Sequence, residues 1–198
     1  MRMLARHALW EAALALLRTF GLSTRRALLA GALALAGCGE GWAEAPADEM
    51  IVVAGQSNAL GYRLSGADLP PRSYEPDPRV QIWTGRSFAT MEPGRNTGAP
   101  ANPQCWGPEV AYARAWLADH PKGTLHVVKY ARGSTGLAAS ADRDWAPESG
   151  ELFAETTAAV RAARRALPQP APVSAILWIQ GEQDAAAPET AQAYAGNL

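Results

Sequence analysis

Three short apolar runs, separated by stretches of helical periodicity, set what this chain can fold into. MIVVAG (Met50 to Gly55) is continuous in Ile and Val, as a strand buried on both faces must be. TLHVVKYA (Thr124 to Ala131) reads as a second strand, and VSAILWIQ (Val173 to Gln180) as another continuous apolar one. GPEVAYARAWLADH opens with Pro108 at a first helical position and Glu109 in the first turn, and Val110, Ala113 and Leu117 share a face. From Gly150 to Leu167 a second helix is patterned. Leu152, Thr156, Val160, Ala163 and Leu167 form its stripe, and Pro168 and Pro170 end it. This alternation predicts an α/β fold: a three-layer, doubly wound parallel sheet with crossover helices.

Between the first two strands runs a segment rich in Pro and Gly, from about Ser65 to Pro108. Only VQIW (Val80 to Trp83) interrupts it as a short strand. Trp83, Phe88, Met91 and Trp106 give the segment surface to bury, which argues for order. In open parallel sheets, ligands sit beyond the carboxyl ends of the strands. Three polar clusters fall at those ends: GQSN after the first strand, RGSTG after the second and QGEQD after the third.

The amino-terminal region differs from the rest. Arg25 and Arg26 precede an apolar core from Ala27 to Ala36, followed by small residues, which is the order of a secretory signal over residues 1–45. LAGC (Leu35 to Cys38) is similar to a bacterial lipobox, which implies a lipid on Cys38; a plain cleaved signal ending near residues 41–43 is the alternative. The expected localisation is secreted or periplasmic, with membrane anchoring through Cys38 in the first case. A net charge of −1 leaves no basic footprint for nucleic acid. Two cysteines, Cys38 and Cys105, are too few for a disulfide framework or a metal cage, and the carboxylates and histidines lack ligand spacing, so no cofactor is expected.

Ser57, after Gly55 and Gln56, stands at a strand-to-helix turn. A hydroxyl there can be a nucleophile with backbone N–H groups beside it, or simply a helix N-cap. The second cluster offers Gly133 or Gly136, whose N–H could approach a substrate oxygen. The third offers the Gln180 amide and the carboxylates of Glu182 and Asp184, either of which could instead cap the next helix.

Taken together, GQSN, KYARGSTGL and WIQGEQDA resemble the successive blocks of the SGNH (GDSL-like) hydrolase superfamily, in the branch of sialate O-acetylesterases and acetylxylan esterases. WGPE (Trp106 to Glu109) is similar to that branch's usual start of its first long helix. The resemblance spans about Ile51 to Ala187 and implies the flavodoxin-like SGNH fold for residues 46–198. It implies Ser57 as nucleophile, with the Ser57 N–H, the Gly133 N–H and the Gln180 side chain as the oxyanion hole. Glu182 would support a catalytic histidine or hold the loops, and Asn58 would tie the turn. An O-acetylated carbohydrate is the implied substrate, against which Trp83, Trp106, Trp145 or Tyr62 could stack.

A serine hydroxyl needs a base to take its proton. The branch implies a histidine in an Asp-x-x-His block near the carboxyl terminus, and this chain has only His7, His120 and His126. His120 reads as a helix-end residue and His126 as a packed strand residue. The expectation is a truncated esterase domain, inactive by itself. Two alternatives stay open: a non-catalytic carbohydrate-binding lipoprotein of the same fold, and an SGNH lipase or arylesterase.

Overall fold

The computed structural model describes residues 48–62, 64–65, 67, 69, 75–98, 104–140 and 143–198. The signal segment and Cys38 lie outside them. By contacts the chain divides into Met1–Glu44 and a compact unit, Ala45–Leu198, to which everything below belongs. Among the described residues no helix is long and apolar enough to cross a membrane.

Five strands form one sheet: β1 (Glu49–Gly55), β2 (Val80–Trp83), β3 (Phe88–Thr90), β4 (Leu125–Ala131) and β5 (Val173–Ile179), in the order β3-β2-β4-β1-β5. β1, β2, β4 and β5 run parallel. The short α1 (Ser57–Leu60) follows β1, α2 (Pro108–Asp119) precedes β4, α3 (Leu152–Arg165) precedes β5, and α4 (Pro188–Asn197) follows it. Strand pairing is level where it matters: Gly55 pairs with Ala131 on one side and Ile179 on the other. The three loops predicted to carry the chemistry therefore start at one height.

The two faces of β1 are divided by its period of two. Ile51 and Val53 pack with Val80, Ile82, Leu125 and Val127 against Ala113 and Trp116 of α2. Met50, Val52 and Ala54 face the other way, toward Leu152 and Ala163 of α3. Both layers are apolar because both faces of a parallel strand are covered. Each buried Val, Leu, Ile or Met side chain among them contributes about 1.5–3 kcal/mol by leaving water.

Two features depart from the sequence expectation. Phe88–Thr90 is a strand, antiparallel to β2, joined by a turn in which Thr84 N–H donates to Ser87 O at 2.9 Å and Gly85 takes a φ of 92°. The sheet is thus mixed at that edge. The hairpin was hidden because its arms are short and its surroundings rich in Pro and Gly. At the other edge, among the described residues, β5 has a neighbour on one side only. Its Ile176 is 65% exposed although the run reads as continuously apolar.

His126 confirms its reading as a packed residue: it is 7% exposed, with its ring 4.8 Å from that of Phe88. Burial pushes its imidazole below the usual histidine range, with the charge of Asp48 opposing. The unfolded chain accepts a proton near pH 6.5, which the folded chain refuses until lower pH. Stability from this group is therefore full above that value and falls as the pH drops through it toward the folded pKa. Melting curves from about pH 8 to about pH 5 should show a declining Tm, and the decline should be shallower in His126→Leu.

Candidate active site

The site begins where β1 must stop. Gly55 has a φ of 131°, and a Cβ there would lie 1.9 Å from Ile179 O, so no other residue fits. The single peptide link between Gly55 and Gln56 is tied to both neighbouring strand ends: Gln56 N–H donates to Ile179 O at 2.9 Å, and Arg132 N–H donates to Gly55 O at 3.0 Å. Gln56 is the N-cap of α1 and Ser57 is its first helical residue. The serine is therefore not the cap that the sequence left open. Its side chain is half-buried, and among the described residues its hydroxyl makes no hydrogen bond. As a first-turn residue, Ser57 has no intrahelical acceptor for its N–H.

Gly133 comes from the loop after β4. A Cβ on it would lie 3.8 Å from the Ser57 Cβ, an ordinary van der Waals contact that sets this loop beside the serine. The Gly133 N–H has no acceptor among the described residues. The loop around it is braced from within. Thr135 Oγ1 donates to Arg132 O at 2.8 Å and accepts from Trp145 Nε1 at 3.0 Å, while Ser134 adopts a φ of 57°.

The third cluster ties the other two together. Asp184, 2% exposed, accepts Leu137 N–H at 3.0 Å on one oxygen and 3.1 Å on the other. It also accepts from Gln180 Nε2, which donates in addition to Thr135 O at 3.0 Å. Gln180 Nε2 lies 3.4 Å from Gln56 Oε1, and Gln183 N–H donates to that same oxygen at 3.2 Å. Tyr194 of α4 donates to Gln180 O at 2.9 Å. Gln180 Oε1 is buried without a partner. Glu182 is exposed and accepts from Asn58 Nδ2, linking the loop after β5 to α1.

A fourth support was not foreseen. Lys129 Nζ donates to Glu109 Oε1 at 2.9 Å, Thr97 O at 2.7 Å and Leu60 O at 3.1 Å, with side chains 6% and 0% exposed. Glu109 Oε1 also accepts Gly107 N–H at 2.8 Å. This buried pair joins the end of α1 to the start of α2. Its signal was a lysine inside the apolar run HVVKYA, since a charge in such a strand needs a partner. Gly61 sits beside it with a φ of 83°, and a Cβ there would fall 1.6 Å from Trp106 O. Trp106 is half-buried and donates to Ser65 O at 2.8 Å.

Ser57, Asn58, Gly133, Gln180 and Glu182 thus converge, and neither of the described histidines, His120 and His126, joins them; His7 lies outside the described residues. His126 pairs with Met50. That lies five residues below Gly55, about 16 Å along the sheet. His120 ends α2, its Nδ1 2.8 Å from Trp116 O and its ring stacked on Trp116 at 4.5 Å. Of the aromatic candidates, Trp145 is core, 3% exposed, with its ring 4.9 Å from that of Trp178. Tyr62 is 58% exposed, and Trp83 lines a cleft of about 840 Å³ over the carboxyl ends of β2 and β4, with Leu60, Asn96, Lys129, Tyr130 and Arg132.

The model of a family described as "Carbohydrate esterase, sialic acid-specific acetylesterase" matches residues 47–198. A protein from Arabidopsis thaliana solved by X-ray crystallography is similar at a TM-score of 0.58 and 18% identity, over 77% of this chain and 65% of that one. NanS is similar at a TM-score of 0.51 and 19% identity, over 78% of this chain and 63% of that one. At such identities the likeness is one of fold. The chain spans just under two thirds of the length of these two structures. No curated protein matches the sequence.

The Lys129–Glu109 pair gives a direct test of how the site is braced. Lys129→Met leaves a buried carboxylate without its cation and should destabilise the chain by about 3–5 kcal/mol in urea unfolding. The double variant Lys129→Met/Glu109→Gln should recover a large part of that loss.

Proposed function

This chain belongs to the sialic acid-specific acetylesterase family of carbohydrate esterases, and we propose that it carries the serine and oxyanion half of a carbohydrate O-acetylesterase. The observation that carries this reading is the open Ser57 hydroxyl beside the unobstructed backbone of Gly133, at the level ends of three parallel strands. Ser57 Oγ attacks the acetyl carbonyl, and the carbonyl oxygen gathers negative charge between the Ser57 and Gly133 N–H groups. A donor so placed contributes on the order of 10²–10³ in rate. The bond to the sugar oxygen then breaks, the sugar leaves with a proton, and water releases acetate from the serine.

Gln180 completes the hole by turning one amide hydrogen from Thr135 O to the oxyanion, while Asp184 keeps the other. Glu182 and Asn58 hold the loop after β5 to α1. Trp106 borders the substrate. The base that takes the Ser57 proton is not supplied by His120 or His126, given where they stand. We assign it to the Asp-x-x-His block that the resemblance implies outside these residues. Acetyl groups on sialic acid or on a polysaccharide are both within this reading, and the chain alone should turn over slowly.

The distance of His120 and His126 from Ser57 also favours a second reading, a carbohydrate-binding protein of this fold without catalysis. Imidazole added in solution separates the two. On an activated acetyl ester, the chain should gain an imidazole-dependent rate that Ser57→Ala lacks; an equal rate in both favours the binding protein. Lipid attachment at Cys38, with a secreted or periplasmic location, belongs to the same proposal. Cys38→Ala should move the full-length protein from the membrane fraction to the soluble one, as fractionation would show.

A further inference from the structure

We propose that Asp184 is a positioning residue of this site: its carboxylate, an acceptor only, decides which end of the Gln180 amide is turned toward the loop of Gly133. The inference rests on the esterase reading of Ser57 and adds the group that makes Gln180 a donor.

The two ends of an amide have nearly the same shape, and only their neighbours tell them apart. Three oxygens surround Gln180 Nε2: Asp184 Oδ2, Thr135 O at 3.0 Å and Gln56 Oε1 at 3.4 Å. Each is held as an acceptor from outside. Thr135 O is a backbone carbonyl. Gln56 Oε1 takes Gln183 N–H at 3.2 Å, which fixes the oxygen end of that amide toward Gln180. Asp184, buried at 2% exposure, takes Leu137 N–H at 3.0 Å and 3.1 Å on its two oxygens. Turned over, Gln180 would set its own oxygen against these three and leave no hydrogen among them.

The other end of the amide shows what this arrangement gives up. Gln180 Oε1 is buried and has no partner among the described residues. Buried polar atoms are paired in the great majority of cases, so the orphan oxygen marks an amide gripped by its nitrogen. Thr135 lies two residues beyond Gly133, so the hydrogen on Thr135 O is directed at the loop of Gly133. The hydrogen on Asp184 is the anchor about which the other can turn. Among the three acceptors, Asp184 is the one that a substitution of the same shape turns into a donor. Asp184→Asn keeps an oxygen for Leu137 N–H and offers a new N–H to the orphan Gln180 Oε1, which favours the turned amide.

On the full-length protein with an activated acetyl ester, Asp184→Asn should lower kcat by about 10²–10³-fold, the loss expected of one oxyanion donor, with KM within about twofold of the wild type. Gln180→Ala should lose a similar amount. Adding Asp184→Asn to it should lower kcat no further than about threefold, because the carboxylate acts through Gln180. An unchanged kcat in Asp184→Asn, or losses that multiply in the double variant, overturns the proposal; a merely structural carboxylate would give the second result. Nuclear Overhauser spectra provide a reading that needs no turnover. Gln180 Nε2 and Leu137 N–H donate to the same oxygen, Asp184 Oδ2, so their protons should show a contact in the wild type and lose it in Asp184→Asn. Absence from the wild type, or persistence in the variant, overturns the proposal. If the wild type hydrolyses no acetyl ester, the esterase reading falls and these spectra alone decide on Asp184. If Asp184→Asn does not fold, the wild-type contact decides in its place: present, it supports the proposal; absent, it overturns it.

Discussion

The parallel pairing of β1 with β4 on one side and β5 on the other is the constraint from which the site follows. Because Gly55, Ala131 and Ile179 lie across from one another, three loops distant in sequence leave the sheet at the same level. Parallel strands require long crossovers, and those crossovers are α2 and α3, which also seal the two faces. The architecture thus brings the ends together at the cost of polar backbone that must be satisfied there. The one peptide bond from Gly55 to Gln56 meets this demand by giving one hydrogen bond to the β5 side and taking one from the β4 side.

Above the sheet, order is kept by buried polar groups rather than by apolar packing. Asp184, Gln180 and Gln56 form one connected set, and Lys129 with Glu109 forms another. In a region of low dielectric each bond is stronger than in water, and each unmatched atom is costly. The first set fixes the loop that carries Gly133. The second fixes the far end of the short helix that carries Ser57. A serine on four helical residues would otherwise have little to hold its position, since a single turn is not stable alone.

The long strands and helices were legible because their signals are local. The Val and Ile runs named β1, and the Pro108–Glu109 start named α2 to the residue. The three polar clusters were legible as a group because a parallel sheet puts strand ends together. What escaped was set by tertiary placement. Phe88–Thr90 becomes a strand only because β2 offers it a free edge. Ile176 is exposed because β5 lies at the sheet's border, a fact no periodicity carries. Lys129 and Glu109 are twenty residues apart, and nothing in their local sequence says that they meet. The serine's choice between cap and first helical residue turned on Gln56, whose side chain points to the third cluster rather than to the helix.

The closeness of Gly55 to Ile179 also has a meaning for the order of events at the ribosome. These residues are separated by most of the fold, so their contact closes only after β5 has emerged and docked. Until then Gln56 lacks the acceptor for its N–H and the partners of its side chain, and the turn bearing Ser57 has no fixed shape. A nascent chain therefore carries an ordinary serine until β5 has been made. The residue acquires its setting only when β5 docks beside β1.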